Sequence, residues 1–182
     1  MAKHEQSKGK TDEWYTPPHV FEALGCSFDL DVASPGMCYV PWIPAARAII
    51  CDSLAKTWRG FKWMNSPFGG RNGLAPWLDK FFQDGDGIAL VPDRTSAPWW
   101  QNYAPRADLA LFVGRKIRFI GGQHAAVLGL VEKAGDPGVS PAQGTTLLAA
   151  GSRAVAALEH AARAGLGTCF RPLSPTEREV GK

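Results

Sequence analysis

Short apolar runs, each broken by Gly, Pro or Asp, alternate along this chain with stretches whose apolar positions recur every three or four residues. Residues 27–33 set Phe28, Leu30 and Val32 against Asp29 and Asp31, the two-residue period of a strand, until Pro35 and Gly36 end it. Residues 48–51, 61–64, 87–91, 109–113 and 145–150 read as further strands. Between them, Leu74, Trp77, Leu78, Phe81 and Phe82 share one side of a helix over 74–83, with Asp79, Lys80 and Gln83 facing away. Val20, Phe21 and Leu24 form the apolar side of a shorter helix opened by Pro17 and Pro18, with Thr16 as the expected N-cap and Gly25 as the stop. Residues 98–103 predict another short helix. Residues 152–164 predict a longer one, with Ser152 at its N-cap, Glu159 and Arg163 paired one turn apart, and Gly165 at its end.

Strand–helix alternation of this kind predicts an α/β fold, a mostly parallel sheet with helices on both faces that binds ligands outside the carboxyl ends of its strands. The polar residues Asp31, Asp52 and Asn65 fall at those ends. Residues 121–144, rich in Gly and Pro, read as a long irregular insertion or an edge hairpin with a mobile tip. Residues 1–11 offer nothing to bury and read as a disordered tail, leaving one ordered domain over 12–172 and a C-terminal tail over 173–182.

Composition narrows the function classes. With 182 residues, 45% hydrophobic and 20% charged, the chain suits one globular domain. Its net charge of +3 is too mild for binding nucleic acid by bulk charge alone, so any such contact needs a local basic patch. Cys26, Cys38, Cys51 and Cys169 form no C-x-x-C pair and the four histidines no H-x-x-x-H, so no metal site is expected. No apolar run is long enough to span a membrane, no secretory leader pattern opens the chain, and a cytoplasmic protein is expected. There is no Walker A loop for ATP.

The sharpest chemical signal is the apolar strand that runs into Asn65, Ser66, Pro67 and Phe68. It resembles the D/N-P-P-Y/F motif of amino methyltransferases. The exocyclic amine of a nucleobase has its lone pair delocalised into the ring, so acceptors must pull on both of its hydrogens to make it nucleophilic. The resemblance implies that Asn65 through its side-chain oxygen and Ser66 through its backbone carbonyl supply those acceptors, and that Phe68 stacks on a flipped-out base. Ser66 stands where the motif usually has a first proline, a replacement that a backbone role tolerates. Pro67 still biases Ser66 toward an extended conformation. Without the resemblance, Asn-Ser-Pro is an ordinary turn after a strand.

A second set of residues extends the likeness. Trp14, Thr16 and Pro17 make a W-x-T-P opening, residues 28–33 read F-D-L-D-V-A, and Asp52 to Leu54 with Trp58 precede the Asn65 motif. Together, and with Val91 to Thr95, Trp99, Trp100 and Gly114 to Phe119, they resemble the phage-type DNA adenine methyltransferase (Dam) family, well over 12–120 and more loosely over 141–151. The resemblance implies a Rossmann-like enzyme that transfers a methyl group from S-adenosylmethionine to the N6 amine of adenine in short DNA sites. It assigns Trp14, Thr16 and Pro17 to the methionine end of the cofactor, Asp31 to its ammonium with Asp29 as a second candidate, Ala33 to the following turn, and Asp52 to the cofactor or the base. The glycine-rich F-x-G-x-G of many related enzymes is absent after Asp31, so contacts there do not transfer from the wider superfamily.

For DNA the candidates are Arg71, Arg94, Thr95, Trp99 and Trp100, and the cluster Arg115, Lys116 and Arg118. The bland alternatives are a solvated strand edge for the cations, helix anchors for the tryptophans, and capping for Asp31 and Asp52. Two rival functions stay open: methylation of the cytosine N4 amine, and a non-catalytic nucleic-acid-binding module descended from such an enzyme.

Overall fold

The computed structural model describes residues 11, 13–69 and 73–173. In chain order the elements are β1 (Trp14–Tyr15), α1 (Pro18–Leu24), β2 (Leu30–Asp31), β3 (Lys62–Met64), α2 (Ala75–Asp84), β4 (Gly87–Pro92), α3 (Pro98–Tyr103), β5 (Leu109–Val113), β6 (Ile120–Gly121), α4 (Gln123–Val127), β7 (Thr145–Ala150), α5 (Ser152–Arg163) and β8 (Gly167–Phe170). Single 3-10 turns cover Ser53–Ala55 and Ala104–Arg106.

Six strands form one mixed sheet in the order β2-β3-β4-β7-β5-β8, and β1 pairs with β6 in a separate two-stranded ribbon. β2, β3 and β4 are parallel neighbours, whereas β7 runs antiparallel to both β4 and β5, and β8 antiparallel to β5. The sheet is therefore less parallel than the alternation predicts. Parallel neighbours need a crossover, but the only helix between β5 and β7 is the five-residue α4, and the chain returns instead as an antiparallel strand between β4 and β5. α5 does make a crossover, from β7 to β8, but these two flank β5 rather than each other. β8 carries little sequence signal, being four residues with alternately half-buried and exposed positions.

Side chains alternate between two cores, one on each face. Phe61, Trp63, Ile88, Leu90, Leu109, Leu111, Leu147 and Ala149 pack with Val20, Phe21 and Leu24 of α1 and Ala154, Leu158 and Ala161 of α5. Met64, Ala89, Val91, Ala110 and Leu148 pack on the other face with Leu78 and Phe81 of α2 and Trp100 and Tyr103 of α3. Helices on both faces thus follow from period-2 strands flanked by amphipathic helices.

Local detail departs from expectation in four places. The strand predicted over 27–33 is regular only at β2, Leu30–Asp31. Residues 48–51 are not a regular strand. The chain over 45–49 runs parallel beside β2 through bridges Phe28↔Ala45 and Asp31↔Ala48, with Asp31 N donating to Arg47 O at 2.9 Å and Ile49 N to Asp31 O at 2.9 Å. Neither expected N-cap is used as one: Pro17 and Gly151 hold those positions, and neither helix has a side-chain cap. Thr11, assigned to the tail, is 7% exposed and its hydroxyl accepts from Glu13 N, while residues 1–10 and 174–182 lie outside the described part. The Glu159–Arg163 pair forms at 3.4 Å.

The insertion over 121–144 supplies α4 and, with Gly121, one residue of β6, and Gly138 fits under the Trp14 indole so closely that a Cβ there would come within 2.5 Å of the ring. Among the described residues no helix is long and apolar enough to cross a membrane, and no group of three His, Cys, Asp or Glu is placed to hold a metal ion.

Candidate active site at the strand ends

The chain goes from β2 to the 45–49 segment on its outer side, then returns to place β3 on its inner side. Strand order reverses between β2 and β3, and open α/β sheets bind ligands outside the carboxyl ends at such a reversal. A cleft lies there, lined by Trp14, Tyr15, Asp31, Ala33, Pro35, Ile43, Trp63, Asn65 and Pro67. Its enclosed space is about 50 Å³, room for a few waters and well below the several hundred Å³ that a small-molecule site needs.

Asp31, the last residue of β2, is only 3% exposed. Its Oδ1 accepts from Ala33 N at 3.2 Å, and the Ser34 hydroxyl also bonds its carboxyl group. Among the described residues it forms no ion pair. Burial pushes its pKa from the ordinary 3.8 up to about 6, and the two hydrogen bonds only partly oppose that. A buried carboxylate on a cleft wall with no cation of its own is a site for a cationic or hydroxyl-bearing ligand. Tyr15 shares this wall; burial, and then the charge of Glu13, push its phenol up to about 12 and keep it neutral.

Asn65 follows β3 and is half-buried. Its Nδ2 donates to Trp14 O at 3.1 Å and to Thr16 Oγ1 at 3.3 Å. Its Oδ1 accepts no hydrogen bond among the described residues, and neither does the Ser66 carbonyl. Ser66 is 3% exposed and its Oγ has no partner either. Pro67 is exposed at the cleft. Phe68 is half-buried against residues of both cores and is not in the cleft lining.

No family model, curated protein or solved structure matches the chain.

Of the remaining candidates, the cleft gathers Trp14 and Ala33 but not the rest. Thr16 and Pro17 are buried and not in its lining. Asp29 is spent elsewhere: Oδ2 accepts from Phe61 N at 2.7 Å and lies 3.6 Å from Arg153, tying β3 to its neighbour at the amino end of the sheet. Asp52 is exposed beyond 45–49, in left-handed backbone with φ 50°, and makes no capping bond. Trp100 is 6% exposed and packs against Phe112 and Trp99, so it anchors α3 on the sheet and offers no face to a base. Trp99 is half-buried and Thr95 exposed. Arg71 lies outside the described residues.

The other cations follow β4 and β5, whose carboxyl ends share the rim with Asp31 and Asn65. Arg94 Nε donates to Gln143 Oε1 at 2.9 Å, Lys116 Nζ to Ala142 O at 2.9 Å and Arg118 Nε to Gly138 O at 3.0 Å. These three fasten the 138–143 segment to the rim, and exposed Arg115 stands beside them. Tyr15, Pro35, Ile43 and Trp63 line the cleft without being candidates from the sequence. Two of them had a signal, Tyr15 inside the W-x-T-P opening and Trp63 in the apolar run before Asn65.

Proposed function

We propose that this protein is a DNA adenine-N6 methyltransferase that draws its methyl group from S-adenosylmethionine on a Rossmann-like sheet. The observation that carries the reading is Asn65, whose Nδ2 is held by Trp14 O and Thr16 Oγ1 and whose Oδ1 accepts no hydrogen bond among the described residues, in a cleft shared with a buried carboxylate that forms no ion pair among them, at the reversal of strand order. An exocyclic amine needs two acceptors, and Asn65 Oδ1 and the Ser66 carbonyl supply two from adjacent residues. The motif resemblance and the cationic rim after β4 and β5 support the same reading.

The charge of the site fits the cofactor. Asp31 would hold its ammonium, and the Trp14 indole would lie near its positive sulfur, an attraction of roughly 0.5–2 kcal/mol. When bound, S-adenosylmethionine supplies an electrophilic methyl group. Asn65 and Ser66 orient the amine and polarise its N–H bonds, so the chain contributes alignment and fixed dipoles rather than a general base. The amine's extra proton passes to water after transfer. The present volume requires the cleft to widen on binding; the wall free to move is the 33–43 segment, which contributes Ala33, Pro35 and Ile43 and belongs to no helix or strand.

The test is labelled methyl transfer to DNA, followed by digestion to nucleosides and mass analysis. N6-methyladenine formed by the wild type and lost in Asn65→Ala supports the reading. N4-methylcytosine moves the acceptor to the rival base. No incorporation by either protein, with DNA bound and no calorimetric heat from S-adenosylmethionine, replaces the enzyme by a binding module.

A further inference from the structure

A primary amide is nearly symmetric in shape, so something must decide which end of Asn65 faces the cleft. A backbone carbonyl can only accept, so the Trp14 carbonyl 3.1 Å away must face Nδ2. The β1–β6 ribbon holds the backbone on either side of that carbonyl, with Gly122 N donating to Glu13 O at 2.9 Å and Tyr15 opposite Ile120, and the indole is seated over Gly138. The second acceptor, Thr16 Oγ1, lies at 3.3 Å on a residue with no exposed surface. Its own carbonyl is held by the Trp42 indole N–H at 2.9 Å. Both Nδ2 hydrogens thus have a partner, and Oδ1 is left for a ligand.

We propose that Thr16 is a positioning residue: its hydroxyl, acting with the Trp14 carbonyl, locks the Asn65 amide in the orientation that presents Oδ1 to the amine being methylated. Within the W-x-T-P opening, Thr16 then serves the acceptor side of the site through Asn65, while the Trp14 indole lines the cleft. This role rests on the methyltransferase reading above, and the geometry of the lock does not. Thr16→Val keeps shape and burial but deletes the acceptor, Thr16→Ala deletes it without adding a methyl, and Thr16→Ser restores it.

The experiment has two arms on the full chain. In the first, the Asn65 side-chain NH₂ pair is assigned by its disappearance in Asn65→Ala, and its shift and solvent exchange are compared across the variants. Faster exchange in Thr16→Val and Thr16→Ala, returning toward wild type in Thr16→Ser, is expected; an unchanged pair overturns the lock. In the second, kcat for DNA methylation falls about three- to tenfold in Thr16→Val, the range of one net hydrogen bond, with KM for S-adenosylmethionine little moved and most of the loss recovered by serine. A loss confined to KM, or none while Asn65→Ala is dead, overturns the positioning role. Wild type and Asn65→Ala alike in transferring no methyl overturn the methyltransferase reading and the positioning role with it, while the first arm still decides the lock. If Thr16→Val does not fold, as judged by circular dichroism, Thr16→Ala carries both arms.

Discussion

Replacing Asp31 by Asn removes the charge that the fold holds against its own interest. The carboxyl group is 3% exposed, forms no ion pair among the described residues, and titrates near 6 instead of 3.8 because burial disfavours its ionised form. The folded chain therefore binds this proton more tightly than the unfolded chain does. Relative to the unfolded state, Asp31 is best tolerated below pH 3.8, becomes costlier as pH rises from 3.8 to about 6, and carries its full cost above that. At 1.36 kcal/mol for each unit between the two values, that cost is about 3 kcal/mol at pH 7. Asn keeps an oxygen for Ala33 N and carries no charge, so Asp31→Asn is expected to be more stable by up to about 3 kcal/mol at pH 8, or roughly 6 to 12 °C in Tm, and by little at pH 4. The same variant should lose the calorimetric heat of S-adenosylmethionine binding, as expected where a functional group is kept at the expense of stability. Thermal unfolding of both proteins from pH 4 to 8 checks the first part and titration calorimetry the second. A variant no more stable at pH 8, or one whose gain is equal at both ends, refutes the account of Asp31 as a buried unpaired charge.

Two further outcomes separate this site from its surroundings. Asp29→Ala leaves Phe61 N without its 2.7 Å acceptor and should destabilise the protein by about 1 to 3 kcal/mol in urea titrations, while the affinity of the folded protein for S-adenosylmethionine stays as in the wild type. Arg115→Gln should weaken DNA binding across sequences and lower the slope of log affinity against log salt by about one. A slope identical to wild type removes Arg115 from the DNA-facing rim.

The sequence by itself determined the local elements. Continuous apolar runs such as 87–91 and 109–113, bounded by Gly, Pro and Asp, and the helical repeat of Leu74, Leu78 and Phe81 predict β4, β5 and α2 closely, because the strands bury side chains on both sheet faces and the helix buries one side. It also placed Asp31 and Asn65 at strand ends, since Pro35 and Gly36 follow the first and Pro67 and Gly69 the second, and Pro and Gly break a strand. Which strands became neighbours was decided only by tertiary structure: β7 sits antiparallel between β4 and β5, and no local pattern records that pairing. Position in space likewise divided residues that look alike in the chain. Asp29 and Asp31 stand two apart, yet one staples the amino end of the sheet and the other faces the cleft. Trp99 and Trp100 are adjacent, yet Trp100 is core. Thr16 has the chemistry of an N-cap, and only the approach of Asn65, distant in sequence, turned its hydroxyl toward that amide. Spacing along a chain fixes what a residue can do chemically; the partner it does it with is set by contacts between segments far apart in sequence.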